Sequence, residues 1–277
     1  MITVRELYVY PVKGCARIAV ASARVGETGL EHDRTFMVVD AADGSFRSQR
    51  KLPGMAVVRV EVADGGAKLV LSAPGVEELR VGVETDGVRI PVSLFDRPVG
   101  DGVDQGDAAA EWFSEVLGAA SRLVRVPPGF DRAGWGETPG KVGFADAHAV
   151  SVHSTASLDD LNARIAERGG AAPVGTDRFR PNIVLEGLGE PHFEDRVRSM
   201  AIGSVELAYA VRAMRCNVPL VDQLTGRRAG PEPVRTLATY RREPEYDNKV
   251  SFGMKAAVVR GGTLAVGDPV EVTRWEG

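Results

Sequence analysis

The segment MRCNVPLVDQLTG, residues 214–226, contains a cysteine that could attack a substrate or bind a metal. Arg215, next to Cys216, would favour the thiolate, which is the reactive and metal-binding form of cysteine. A lone intracellular cysteine is also commonly an inert core residue, and a cysteine hydrolase would need a histidine that the sequence does not single out. A thiolate ligand to a soft or high-valent transition metal is the chemically cleaner functional interpretation. The spacing alone does not decide whether Cys216 is an inert core residue, a nucleophile or a metal ligand.

Two cationic residues in the first forty positions could bind an anion. Lys13, in YPVKGC, lies at a strand end beside Gly14, where a ligand can approach the backbone closely. The alternative is a solvated lysine in a turn. Arg34 follows His32 and Asp33 in GLEHDRTFMVVD and is either an anion clamp or a member of a buried ion pair. The adjacent histidine and aspartate would face opposite ways on a strand and make a poor catalytic dyad.

A third group of polar residues has a spacing of two in GTDRFRPNIVLEG. If this segment is extended, Arg178, Arg180 and Asn182 share one face, which suits a phosphate or a polar heterocycle. An edge strand whose arginines pair with carboxylates is the alternative. Ser154 and Thr155 offer hydroxyl groups at the start of a predicted helix, where they could bind an anion or simply cap the helix.

The elements that must position these residues are mostly strands. Residues 2–95 contain short β-rich segments separated by Gly, Asp and Pro clusters, which predict an antiparallel sheet or barrel. These segments are TVRELYVYPV, RIAVASARV, RTFMVVD, AVVRVEV, AKLVLSA, ELRVGV and GVRIPVSLF. Strand patterns return later in HAVSVHS, PNIVLEG, SMAIGSVELAYAVRAM and KAAVVRGGTLAVGDPVEV.

Helical periodicity occurs in two segments. DAAAEWFSEVLG predicts an amphipathic helix with Asp107 as its N-cap and Gly118 at its end. STASLDDLNARIAER predicts a second helix with Leu158, Leu161 and Ile165 on one face.

A Pro- and Gly-rich stretch between these helices, RVPPGFDRAGWGETPGK, marks a domain boundary or a long functional loop. We therefore predict two β-barrel-like domains, residues 1–122 and 123–277, in a mainly β fold with a few helices (β-rich α+β).

Composition excludes several classes of protein. The chain has 34 basic and 38 acidic residues, interspersed, so no broad basic face for nucleic acid is expected. No G-x-G-x-x-G follows a strand, which argues against a Rossmann fold, and no C-x-x-C supports a zinc finger or iron–sulfur cluster. The start lacks a signal-peptide pattern and no long apolar window occurs, so a cytoplasmic protein without a membrane segment is expected.

Six pieces of the sequence, in order, resemble those of MOSC-family proteins. They are LYVYPVKGC, GLEHDRTFMVVD, FRSQRKLPGMAVVRVEV, TDRFRPNIVLEG, MRCNVPLVDQLTG and SFGMKAAVVRGGTLAVGDPVEV. The resemblance covers nearly the whole chain and implies a MOSC N-terminal β-barrel domain followed by the MOSC domain. The family includes amidoxime-reducing components, which bind the molybdenum cofactor in its pyranopterin mononucleotide form and reduce N-hydroxylated compounds.

The resemblance also implies roles for single residues. Cys216 would be the thiolate ligand to molybdenum, and Asp222 an acidic residue near the metal with a catalytic role. The cofactor's phosphate and pterin would be held at the domain seam by Lys13, Arg34, Ser154, Thr155, Arg178, Arg180 and Asn182. Gly14 stands where relatives commonly have serine, so a hydrogen bond to the phosphate would be lost or replaced by a backbone N–H, and Cys15 is expected to be structural.

The implied activity is reduction of amidoxime-type substrates with electrons from a separate ferredoxin, flavodoxin or cytochrome b5-like protein. The chain stops after its last predicted strand, without the ferredoxin-like domain of some bacterial relatives. The family-level resemblance also implies pyridoxal phosphate binding. The alternative is a non-enzymatic carrier of molybdenum cofactor or of sulfur on Cys216.

Overall fold

The fold is built almost entirely from strands. The computed structural model describes residues 1–169 and 172–277. In the first part of the chain the strands are β1 Ile2–Val9, β2 Val12–Lys13, β3 Ile18–Ala19, β4 Ser22–Gly26, β5 Gly29–Leu30, β6 Phe36–Asp40, β7 Arg59–Ala63, β8 Lys68–Ala73, β9 Val76–Gly82, β10 Arg89–Leu94, β11 Arg97–Asp104 and β12 Ser121–Arg125.

The second part of the chain contributes ten further strands and two of the three helices found among the described residues. The strands are β13 Val150–Ser154, β14 Ile183–Glu186, β15 Val197–Ile202, β16 Val205–Met214, β17 Val221–Asp222, β18 Arg227–Arg228, β19 Arg242–Glu243, β20 Lys249–Arg260, β21 Gly262–Ala265 and β22 Pro269–Trp275. The helices are α1 Asp107–Leu117, α2 Thr155–Glu167 and α3 Val234–Leu237. The predicted mainly β class with a few helices is confirmed.

A closed seven-stranded barrel forms the larger unit. Its strand order is β13-β14-β1-β22-β15-β16-β20, and pairing of β20 with β13 closes it. All pairs are antiparallel except β13 with β14. Closure leaves no free edge within the ring, and the inward-facing residues form one apolar core that includes Val4, Leu7, Val152, Leu207 and Met254.

The smaller unit combines a five-stranded sheet, β10-β11-β12-β6-β2, with the three-stranded meander β7-β8-β9. Helix α1 packs Ala109, Trp112 and Phe113 into the core between them, together with Phe36 and Leu123. The two units are therefore stabilised by separate apolar cores.

The two units are interleaved along the chain. The first strand, β1, pairs with β14 and β22 of the barrel, and β4 pairs with β21. Strand β12, Ser121–Arg125, continues across position 122 and pairs with β6 and β11. The division at residues 122 and 123 stays a prediction, but hydrogen bonding places the beginning of the chain in the barrel.

Local expectations need three corrections. Strands β11 and β12 carry no clear alternation and were not predicted; in β11 only Gly102 and Val103 are buried. The segment RIAVASARV contains two short strands, β3 and β4, instead of one. The N-cap of α1 is Gly106 at φ 85°, so Asp107 is the first helical residue, where its carboxylate still favours the helix N-terminus.

Other helix predictions agree with the structure. Gly118 ends α1 in the left-handed conformation, as expected of a C-terminal glycine. Ser154 caps α2, and Leu161 and Ile165 are buried on one face, with Leu158 packed against the same cluster. Among the described residues, no helix is long and apolar enough to cross a membrane.

Gly253 allows β20 to approach β13 closely. Its φ is +71°, and a Cβ there would lie 2.4 Å from the carbonyl oxygen of Val152.

We predict that Gly253→Ala lowers the free energy of unfolding by on the order of 3 kcal/mol or more, because rigid backbone must move. Gly203 has a similar φ of +57° but open space around it, so Gly203→Ala should cost only the backbone strain of about 1–2 kcal/mol. Equal losses for the two variants in urea denaturation would contradict the close approach.

Candidate functional site

A cavity opens where the two units meet, and both contribute side chains to it. The first part of the chain supplies, among others, Lys13, Arg34, Phe46, Gln49 and Phe95. The second part supplies, among others, Asp146, Ser151, Arg178, Arg180, Asn182, Arg215, Cys216 and Lys255. Cations outnumber carboxylates in this lining, so its electrostatic character favours an anionic ligand.

Cys216 lies just after the end of β16. The preceding Arg215 fixes this segment: its backbone N–H donates to the carbonyl of Val250 at 2.8 Å, and its guanidinium donates to the carbonyls of Phe252 and Phe179. Burial lowers the pKa of Arg215 to about 10, and the neighbouring Cys216 opposes that shift. The Cys216 thiol is free and half-buried in the wall of the cavity.

The other cysteine has a different environment. Cys15 is fully buried in the apolar core of the smaller unit, where burial raises its pKa to about 12. Such a thiol is unreactive. Cys15 is therefore structural, as expected, and the accessible thiol is that of Cys216.

The alternative that Lys13 is a solvated lysine in a turn is wrong. It is 5% exposed, its ammonium donates to Asp146, and it lies 4.9 Å from the ring centroid of Phe46. Burial lowers the pKa of Lys13, and Asp146 opposes this. Gly14, also in the cavity lining, has a φ of +85°, which a glycine adopts without strain.

Arg34 and Arg180 meet at the ring of Tyr10. Their guanidinium carbons lie 4.5 and 4.2 Å from its centroid, and the ring itself is buried. Arg34 forms an ion pair with Asp33 and also donates to Asn182 Oδ1 at 3.1 Å. The structure shows the ion pair that the sequence left open, and Arg34 also lines the cavity; its role as an anion clamp stays a prediction.

Residues 178–182 are not extended, so the condition under which Arg178, Arg180 and Asn182 would share one strand face is not met. Thr176–Phe179 form a 3-10 turn and Arg180 is in the left-handed region at φ 53°, so a strand spacing of two does not apply. The three polar side chains nevertheless line the cavity. Arg178 donates to the carbonyls of Pro219 and Glu232, and Arg180 donates to Gln223 Oε1 at 3.0 Å.

The side-chain amide of Asn182 is used within the protein. Its Oδ1 accepts from the backbone N–H of Ser151 at 3.1 Å as well as from Arg34, and its Nδ2 donates to the carbonyl of Tyr8. Asn182 thereby ties β1 and β13 to the arginine at the seam.

Ser154 and Thr155 are not brought to this cavity. The hydroxyl of Ser154 donates to Glu194 Oε2 at 2.9 Å and accepts from the backbone N–H of Ser157. Thr155 is the first residue of α2. The alternative of simple helix capping accounts for Ser154, because its hydroxyl is already fully used.

Asp222 is also outside the lining of the cavity. Its Oδ1 accepts from the backbone N–H groups of Leu224 and Thr225 at 3.0 and 2.8 Å, which closes a turn. Partial burial raises its pKa, but the hydrogen bonds from Thr225 outweigh this and hold the pKa below its usual value. The geometry gives Asp222 a structural role in the turn that follows Cys216.

Several residues of the cavity were not identified from sequence. Lys255 lies within the apolar run of β20, and a charged residue in such a run is the signal that could have revealed it. Burial and the cations Arg215 and Arg34 lower its pKa to about 7. Asp146 lies in the loop before β13, where the sequence offered no residue-level guidance.

The cysteine-hydrolase alternative finds no support in the geometry of the cavity. Cys216 forms no hydrogen bond with a histidine within the described ranges, as a cysteine hydrolase would need, and His148 Nε2 is 2.9 Å from the carbonyl oxygen of Trp135. Across the same residues, no three His, Cys, Asp or Glu side chains cluster as a metal site.

The fold and cavity together define a class of β-rich protein in two units, one of them a closed barrel, with a basic, thiol-containing cleft between them. Residues 1–120 match the family model of the MOSC N-terminal beta barrel domain, and residues 139–271 match that of the MOSC domain.

Named relatives match over almost the whole chain. Mitochondrial amidoxime-reducing component 1 of Mus musculus is 33% identical over 97% of this chain and 81% of its own length. Mitochondrial amidoxime reducing component 2 of Rattus norvegicus is 32% identical over 97% of this chain and 82% of its own length. The chain therefore belongs to the MOSC family and is related to its amidoxime-reducing components.

Similarity to solved structures is lower. A crystal structure of the YUAD protein from Bacillus subtilis covers 98% of this chain and 94% of its own, at 8% identity and a TM-score of 0.42. None of these comparisons supports pyridoxal phosphate binding.

The lowered pKa of Lys255 predicts how the stability of the folded protein depends on pH. The unfolded chain holds a proton on this lysine up to pH about 10.5, whereas the folded state loses it near 7, so the cost of the buried ammonium is full below 7 and fades towards 10.5. Lys255→Met should therefore raise the Tm of the cofactor-free protein, and the gain should be larger at about pH 6 than at about pH 9.5.

Lys249→Met is the matched control for this measurement. Lys249 lies on the same strand but is exposed, and its ammonium pairs with the exposed Asp247, so its replacement should change the Tm little. A gain for Lys255→Met that is the same at both pH values would contradict the buried ammonium.

Proposed function

We propose that this protein binds a molybdenum cofactor in the seam cavity, with Cys216 as the thiolate ligand, and reduces N-hydroxylated compounds of the amidoxime type. The observation that carries the proposal is the half-buried Cys216 thiol in a cavity lined by an excess of cations. MOSC domains are associated with molybdenum cofactor binding, and the relatives are named for amidoxime reduction.

The residues of the cavity fit such a group. A thiolate suits a soft or high-valent metal centre, and lysine and arginine side chains suit a phosphate. Ser151 adds a buried hydroxyl that has no hydrogen-bond partner within the described ranges and lines the same space. The cavity thus offers a soft ligand, Cys216, and surrounding cations, as a metal bound to an anionic organic cofactor requires.

When bound, a molybdenum cofactor supplies the two-electron chemistry that removes an oxygen atom from an N-hydroxylated substrate. The reaction consumes two electrons and two protons, and it converts an amidoxime to an amidine and water. We propose a separate electron-transfer protein as the source of the electrons.

The chain's own residues have distinct tasks in this proposal. Lys13, Arg34 and Arg180 neutralise the phosphate from both sides of the seam. Arg215 anchors the segment that carries Cys216 through its bonds to Phe252 and Phe179. Asp222 holds the turn beyond Cys216 and is given no proton-transfer role, because it does not line the cavity.

Replacing the thiol tests the proposal. Protein from a molybdate-supplied host should contain molybdenum and reduce benzamidoxime with a chemical electron donor. Cys216→Ser should abolish this reduction, because the hydroxyl is a hard, weak ligand compared with a thiolate. Cys15→Ala is the matched control: its side chain is buried in the apolar core of the smaller unit and does not line the cavity, so the folded fraction should retain activity.

The outcomes separate the alternatives. Full turnover by Cys216→Ser would overturn the ligand assignment. Molybdenum content without turnover in the wild-type protein would favour a cofactor carrier, and a persulfide on Cys216 without molybdenum would favour a sulfur carrier.

A further inference from the structure

Ser151 and Lys255 lie directly opposite each other on neighbouring barrel strands. They are Cα partners in the antiparallel pairing of β13 with β20. Side chains of directly opposed residues project to the same face of a sheet, and both of these line the seam cavity. A hydroxyl and an ammonium are thus placed side by side.

The hydroxyl of Ser151 is unsatisfied within the protein. Ser151 is 2% exposed, and its Oγ has no hydrogen-bond partner among the described residues. Its backbone groups are used, because the N–H donates to Asn182 Oδ1 and the carbonyl accepts from the Asn182 N–H. A buried hydroxyl without a partner is costly, so a ligand that accepts its hydrogen bond would remove that cost.

The charge of Lys255 is compensated only in part. Its neighbours include three cations, Arg215, Arg34 and Lys13. The neighbouring carboxylate of Asp146 is already ion-paired with Lys13. Burial in this environment disfavours the ammonium, and an anion beside it would reverse that effect.

We propose that Ser151 and Lys255 form an oxyanion subsite within the cavity, in which the hydroxyl and the ammonium both donate to one carboxylate or phosphate group. Two sources offer this chemistry. One is a carboxylate of the substrate, in which case the inference rests on the proposed reductase function and narrows its substrates to acids. The other is the phosphate of the bound cofactor.

The test is calorimetric titration of the full chain with benzoate and with inorganic phosphate at constant ionic strength. It is carried out on cofactor-loaded protein and on cofactor-free protein. Because binding is measured directly, the result does not depend on whether amidoximes are reduced, so failure of the subsite and failure of the proposed function remain distinguishable.

Lys255→Met should weaken anion binding by about tenfold or more, since a hydrogen bond to a charged group is lost. Lys255→Arg should retain most of the affinity, and Ser151→Ala should lose part of it. Lys249→Met, on the exposed part of the same strand, should bind as the wild type does. The Tm of each variant shows that it is folded.

Comparison of cofactor-loaded with cofactor-free protein distinguishes a substrate carboxylate from the cofactor's phosphate as the occupant of the subsite. Benzoate binding that depends on Lys255 in loaded protein assigns the subsite to a substrate carboxylate. Phosphate binding that depends on Lys255 and is lost on loading assigns it to the cofactor's phosphate. Wild-type affinity in Lys255→Met, or binding of neither anion by either form, would overturn the subsite.

Discussion

The seam of the molecule depends on the shared contact of two arginines with one aromatic ring. Tyr10 follows the first barrel strand, and its buried ring lies within 4.5 Å of the guanidinium carbons of Arg34 and Arg180. Two like charges at one buried ring are tolerated because each has other partners: Asp33 and Asn182 for Arg34, and Gln223 with the Cys15 carbonyl for Arg180. The contact joins the units and also concentrates positive charge at their junction.

This concentration of positive charge favours the binding of an anion in the cavity. Lys13 and Arg178 are buried and Arg34, Arg180, Arg215 and Lys255 are partly buried, so solvent screens these charges less than it screens surface charges, and an anion entering the cavity gains correspondingly more. Cys216 lies in the same wall, on a segment held rigidly by the bonds of Arg215. A soft ligand and an anion cradle are thereby fixed relative to each other, which is the arrangement that a metal bound to a phosphorylated cofactor needs.

The fold class and both long helices follow from local patterns, because periodicity depends on neighbours in sequence. Residue types also indicated Cys216, Lys13 and Arg34, which do line the cavity. Their roles towards a cofactor stay predictions. The left-handed turn at Arg180 was not predictable, since it depends on packing around Tyr10, and the extended geometry considered for that segment does not occur. Lys255 was missed because a strand pattern does not tell which position on the outer face of a barrel strand borders a cavity. Ser154 and Asp222 lie outside the cavity lining; hydroxyls and carboxylates that cap a helix or close a turn look like ligand-binding ones in sequence.

The central claim is that the Cys216 sulfur binds molybdenum at the seam. X-ray absorption at the molybdenum edge of the loaded protein tests it most directly, by comparing wild type with Cys216→Ala. The account predicts that the variant loses one sulfur from the metal's coordination shell, whether or not the metal content falls. An unchanged number of sulfur ligands in Cys216→Ala would contradict it.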